Sequence, residues 1–351
     1  HSEKSSRTTT SEALELKKLA NELVKGNLLW AQKKEPVAPV FPIIAYYGTG
    51  RLWATTKIKK EKPEKQAPNA RFRGYADCLN PASHYKFFLE WFERHSRQEM
   101  SLLAYVLNPP GQTPAGPLNS IKSAVDIALS PSGWQKLRWD FKENCAVAYH
   151  PEKGTLPVET LSDGIRNMIG LVADIAHRAV RLNPELGAEA HLKTPGIVLI
   201  DEVDMHLHPQ WQQLVLQSLQ TAFPMMQFIV TTHSPQVLST VQAESIFMID
   251  QAADGGWSIV QPGRQTQGVE SSLVMAEVMR TDQTPALPII DRLNEYYALI
   301  QTHRFDSDAA RELRAGLVKH YGSDHPVIRE ADRMISIERF KQTLKKPEKG
   351  G

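Results

Sequence analysis

The segment best equipped for chemistry is Gly196-Ile197-Val198-Leu199-Ile200-Asp201-Glu202. An apolar run of strand length delivers two adjacent carboxylates at its C-terminal end, where open α/β sheets bind their ligands. A carboxylate in that place suits the Mg²⁺ of a nucleotide, and Asp201 takes that role. Glu202 then stands where a general base would polarise the water that attacks a γ-phosphate. A second strand-like run ends in Thr231-Thr232-His233-Ser234-Pro235. A histidine at an adjacent strand end can hydrogen-bond both a γ-phosphate and the attacking water, which makes His233 a candidate. Upstream, Leu161-Ser162-Asp163-Gly164-Ile165 opens a helix 39 residues before Asp201. Ser162 can cap that helix, and Gly164 lets backbone approach an anion at the positive helix end. Singly, each feature has a plainer reading: a solvated acidic turn, a structural histidine, an ordinary N-cap. Their order and spacing favour the chemical one.

Residues 164–182 are expected as a helix, 197–201 as a buried apolar strand, 209–223 as a helix and 227–231 as a further strand. Strands and helices alternating at this spacing imply a mostly parallel, buried sheet. Residues 245–250 and 257–261 read as a terminal hairpin joined at Asp254-Gly255-Gly256. Before Leu161, residues 11–34 read as an amphipathic helix and Val37–Tyr47 as a strand. Residues 82–107, with Phe87, Phe88, Trp91 and Phe92 on one face, and residues 119–129 read as helices. Leu137–Phe141 and Ala146–Tyr149 pair as a hairpin, while 108–117 is a Pro/Gly loop. After Gly268 the chain reads as helical with a break at Asp324-His325-Pro326. The stripes Ile289, Ile290, Leu293, Tyr296, Tyr297 and Leu313, Leu317, Tyr321 read as helix core, with partner docking as the alternative.

At 41% hydrophobic and 23% charged residues, the chain has the composition of a soluble globular protein. No apolar run approaches the roughly 18–20 residues of a membrane span, and the polar first ten residues lack a signal-peptide core. Cys78 and Cys145 form no CxxC, which favours a reduced, cytoplasmic setting. Between Arg51 and Arg73, eight basic residues face only Glu61 and Glu64. That stretch could track a phosphate backbone, but a solvated loop explains it better, and Ala54–Ala70 holds no aromatic residue for base stacking.

The three segments together resemble the ABC-type ATPase head of the RecF/OLD-like branch, which His206-Leu207-His208-Pro209 favours over transporters. The resemblance assigns Ser162 and Gly164 to the signature loop, contacting nucleotide held by another subunit. It makes Asp201 and Glu202 the Walker B pair, Asp204–His208 the D-loop and His233 the switch histidine. Asp163 and Ile165 depart from the usual signature residues. Tyr46-Tyr47-Gly48-Thr49-Gly50-Arg51-Leu52-Trp53, Arg73-Gly74-Tyr75, Asp77-Cys78-Leu79 and Leu161–Gly164 narrow the likeness to the ATPase subunits of Septu anti-phage systems (PtuA), including retron-associated ones. This family implies ATP and Mg²⁺ as cofactors and a homodimer or higher homo-oligomer. It also implies an HNH-type nuclease partner and no membrane. In a retron setting, a reverse transcriptase and its RNA–DNA product join, and nucleic acid becomes a partner.

The expected fold class is therefore α/β: an ABC-ATPase-like head with a mostly parallel sheet, a helical insertion before the signature loop, and a helical C-terminal region. The expected parts are an N-terminal helix (1–35) and a middle region with the basic loop and hairpin (36–160). The catalytic lobe (161–268) and a helical partner-docking region (269–351) follow. No Gly-Lys dipeptide occurs, so a P-loop is not among these residues. The favoured expectation is a chain lacking roughly its first hundred residues, with the phosphate cradle outside it. The alternatives are a RecF-like DNA-repair ATPase, with no heptad run between Arg51 and Leu161 to suggest a long coiled-coil arm, or a non-catalytic scaffold.

Overall fold

The computed structural model describes residues 10–34, 37–52, 70–80, 85–105, 116–251, 255–281 and 286–345. The chain divides into two compact units, His1–Val274 and Met275–Gly351. Most of the basic stretch after Arg51, and the Pro/Gly loop before Gly116, lie outside the described residues.

The first unit begins with α1 (Thr10–Ala31), β1 (Ile43–Tyr47), α2 (Tyr85–Tyr105) and α3 (Pro117–Leu129). Only the last five residues of the expected Val37–Tyr47 strand pair, because Pro39 and Pro42 interrupt what precedes them. Then come β2 (Gln135–Asp140), β3 (Cys145–His150) and β4 (Gly154–Pro157), a three-stranded antiparallel sheet where a hairpin was expected. The helix α4 (Asp163–Leu182) leads through α5 (Ala190–Lys193) to β5 (Gly196–Ile200). The expected 209–223 helix is broken into α6 (Pro209–Gln212) and α7 (Val215–Ala222). After β6 (Met226–Val230) and α8 (Pro235–Leu238), β7 (Met248–Gln251) and β8 (Trp257–Val260) form the antiparallel pair.

The central sheet has the order β1-β5-β6 and is parallel throughout, so strands distant in sequence lie side by side. One face carries Ile43, Ala45, Tyr47, Val198 and Ile200 into the core. There they join α4, which is buried along almost its whole length from Gly164 to Leu182. Phe88, Trp91 and Phe92 of α2 belong to the same core. The other face holds Ile44, Ile197, Leu199 and Ile229, all exposed, so the sheet is buried on one side rather than on both.

Polar groups tie the core together. Asp174 accepts hydrogen bonds from the Tyr47 hydroxyl (2.7 Å) and Arg178 Nε (2.8 Å). Arg178 Nη1 donates onward to the carbonyls of Gly74 (2.9 Å) and Ala76 (3.0 Å). Arg71, counted in the basic stretch that reads as a solvated loop, is instead 7% exposed. Its guanidinium binds the Leu182 carbonyl and Asn27 Oδ1 and lies over the Phe41 ring. A planar fork of five donors suits such a junction of carbonyls.

The helix α9 (Ser271–Glu277) spans the division between the units. The second unit contains α10 (Pro288–Gln301), α11 (Asp308–Tyr321) and α12 (Pro326–Lys345), with the expected break before Pro326. Leu293, Tyr296, Ile300, Leu317 and Ile328 make its core. Arg314 Nη2 bridges both carboxylate oxygens of Asp332 at 2.9 Å.

Candidate functional site

The candidate site forms where β5 and β6 end. Backbone bonds carry the sheet register past the strands: Asp201 N–H donates to the Tyr47 carbonyl (2.8 Å), and Thr231 N–H to the Ile200 carbonyl (3.0 Å). Val203 N–H returns to the Thr231 carbonyl (3.0 Å). Asp201 and Glu202 therefore leave the sheet at its C-terminal edge, partly exposed, beside the chain that leads to His233. Glu202 has φ +47° and His206 φ +63°, a left-handed conformation that few side-chain-bearing residues adopt. Non-glycine residues are held there only where surrounding bonds over-determine them.

At Glu202 one such bond comes from Thr231, and Thr232 makes a matching pair around Asp204. The Thr231 hydroxyl donates to Asp201 Oδ1 and accepts from the Glu202 N–H at 2.9 Å. The Thr232 hydroxyl donates to Asp204 Oδ1 and accepts from the Ser234 N–H at 3.0 Å. Ser234 Oγ in turn caps α8 by accepting from Val237 N–H, and it donates to Gln212 Oε1 at 2.8 Å. His233 sits between these anchors as an exposed residue on a fixed backbone.

The segment after Glu202 also meets the start of α4. A Cβ added at Gly164 would collide with the His206 carbonyl, so glycine is required by close backbone approach. Asn167 Nδ2 donates to the Met205 carbonyl at 3.4 Å. Ser162 occupies the N-cap position, yet its hydroxyl makes no capping bond and the residue is exposed. The expectation that it caps α4 is corrected here. The first turn is served by Asp163, which pairs with Arg166 at 3.0 Å. His208 also has a structural part: its Nδ1 accepts from Gln210 N–H as the N-cap of α6.

Among the described residues no group of three or more His, Cys, Asp or Glu could hold a metal ion. The adjacent carboxylates of Asp201 and Glu202 are the donors this edge offers, and one or two carboxylates with waters and substrate phosphates are what Mg²⁺ takes.

A family described as "AAA domain, putative AbiEii toxin, Type IV TA system" matches residues 82–239. The "Retron Vc95 probable ATPase" of Vibrio cholerae serotype O1 biovar El Tor is 38% identical over 169 residues, 47% of this chain and 32% of that protein. The "Retron Ec83 probable ATPase" of Escherichia coli is 38% identical over 177 residues, 50% of this chain and 31% of that protein. "Septu protein PtuA" of Bacillus thuringiensis is 32% identical over 152 residues, 41% of this chain and 37% of that protein. The chain is a homologue of the retron ATPases and of Septu PtuA.

The match spans about a third of the length of the retron ATPases. The AAA match takes in Ser162, Gly164, Asp201, Glu202, Asp204 and His233, while β1, which completes the sheet beside Asp201, precedes it. Thr231 and Thr232 stand in the motif that drew attention to His233, but sequence reasoning gave them no task. The sequence shows two hydroxyls at a strand end, but their carboxylate partners follow only from the β5–β6 register.

Proposed function

We propose that this chain supplies the hydrolytic edge of an ABC-type ATPase head that works in anti-phage defence, as part of a longer assembly. Asp201 binds the Mg²⁺ of ATP, Glu202 polarises the attacking water and His233 contacts the γ-phosphate. Ser162 and Gly164 reach nucleotide held by another copy, with Asp204 on the same closing surface. Closure and hydrolysis would govern an HNH-type nuclease partner, and, in a retron setting, a reverse transcriptase with its RNA–DNA product. The observation that carries the reading is the junction of Asp201, Glu202 and Thr231 at the C-terminal edge of two parallel strands. The kinship with retron ATPases supports it.

The test is Glu202→Gln in the full-length protein. Removing only the water-polarising group should cut ATP turnover by about 10²-fold or more while nucleotide binding persists. Turnover equal to wild type would remove Glu202 from the role.

A further inference from the structure

We infer that Thr231 is a positioning residue for hydrolysis, setting both the Asp201 carboxylate and the backbone of Glu202. The inference rests on the reading of Asp201 and Glu202 given above. Four bonds converge on this one residue. Its N–H donates to the Ile200 carbonyl and its carbonyl accepts from Val203 N–H, each at 3.0 Å. Its hydroxyl bridges Asp201 Oδ1 and the Glu202 N–H. The backbone pair survives any side-chain substitution and keeps β6 in register. The hydroxyl adds what those backbone bonds do not.

What it adds is of two kinds. Donation to Oδ1 fixes the rotation of the Asp201 carboxylate, and with it the direction its oxygens present to a cation. Acceptance from the Glu202 N–H holds the peptide that precedes a φ of +47°, a conformation that costs about 1 kcal/mol or more to maintain. Without the bridge, Glu202 relaxes towards negative φ and its carboxylate swings away from the water it must polarise. A displacement of about 1 Å at a reacting group is worth roughly 10²-fold in rate. Thr232 repeats the device one residue later, clasping Asp204 to the Ser234 N–H. The end of β6 thus holds the loop after β5 by its side chains as well as by its sheet bonds.

Thr231 is exposed, so Thr231→Val keeps shape without opening a cavity and deletes only the hydroxyl. In the full-length protein, Thr231→Val should lower kcat by about 10- to 100-fold, the range for losing hydrogen bonds to a charged group. It should raise the Mg²⁺ concentration needed for half-maximal rate and leave KM for ATP within about threefold. Thr231→Ser, which restores the hydroxyl, should recover kcat to within about threefold of wild type. A purely structural role would move the unfolding midpoint and KM together and give no hydroxyl-specific rescue. The inference is overturned if Thr231→Val turns over like wild type while Glu202→Gln does not, and the site reading then survives. It is also overturned if Thr231→Ser fails as badly as Thr231→Val. Wild-type turnover in Glu202→Gln would sink the site reading and the inference together.

Discussion

A single hydrogen atom's worth of space decides the contact between the start of α4 and the loop that follows the carboxylate pair. Gly164 is buried, and the nearest atom to an added Cβ is the His206 carbonyl oxygen, with Leu207 close behind. Replacing glycine by alanine in a helix ordinarily adds about 1 kcal/mol of stability. Here the obstruction is backbone, which cannot swing aside like the end of a flexible side chain. Overpacking of that sort costs about 1–3 kcal/mol, so the unfavourable effect wins. Gly164→Ala should therefore lower the thermal unfolding midpoint and slow hydrolysis through the displaced His206 segment. A midpoint at or above wild type would show that the loop yields freely. The positive φ of His206 adds to the point, because a loop already held in a sparse conformation has little room to accommodate a methyl group.

At the scale of elements, α4 carries a buried charge network that sets how the fold responds to pH. Burial and the nearby Arg178 and Arg181 guanidinium groups hold the His177 imidazole down at about 3, with Asp174 working the other way. The unfolded chain binds a proton at His177 near pH 6.5, whereas the folded chain does not. Its contribution to stability is therefore complete above about pH 6.5 and declines as pH falls, by up to about 1.4 kcal/mol per unit. Asp174 is also driven upward by burial, but Arg178 and the Tyr47 hydroxyl outweigh this and keep its carboxyl below the usual range. That contribution persists above about pH 4 and is lost only in stronger acid. Urea unfolding of the protein at pH 7 and pH 5 should show lower stability at the acid point, with a smaller difference in His177→Gln. An equal difference in both proteins would place the proton uptake elsewhere. The helix itself was legible in the sequence, opening at Ser162 and Gly164 and closing near Leu182. The network was not, because Asp174 meets a tyrosine 127 positions away and Arg178 a carbonyl 104 positions away. Likewise Asp201, Glu202 and His233 announced themselves by type and spacing. The threonines that hold Asp201, the Glu202 peptide and Asp204 became visible only once β5 and β6 lay in register, since a hydroxyl's partner is set by pairing and not by its own identity.

For the whole molecule, the sheet poses the strongest physical demand. The run Gly196–Ile200 reads as a strand covered on both faces, as strands of parallel sheets usually are. The core face meets that expectation, but Ile197 is 43% exposed and Ile229 52% exposed on the other side. The register places Leu199 beside both Tyr46 and Ile229, so these residues form one continuous strip across three strands rather than scattered apolar positions. A second apolar surface lies on the β7–β8 pair and the residue before it, where Phe247, Ile249, Trp257 and Ile259 are each at least 65% exposed. Contiguous apolar patches of this kind drive association or dye binding when water is their only cover. The 351 residues prepared alone should bind a hydrophobic dye strongly and self-associate as concentration rises. Leu199 and Ile229 are direct neighbours across β5 and β6, so Leu199→Lys with Ile229→Glu places an ion pair on the strip without disturbing the core face. The double variant should bind less dye and stay dispersed, with helix content unchanged. Equal dye binding in both forms would mean that the strip is not what the solvent sees, and the one-sided burial of the sheet would then be the statement to abandon.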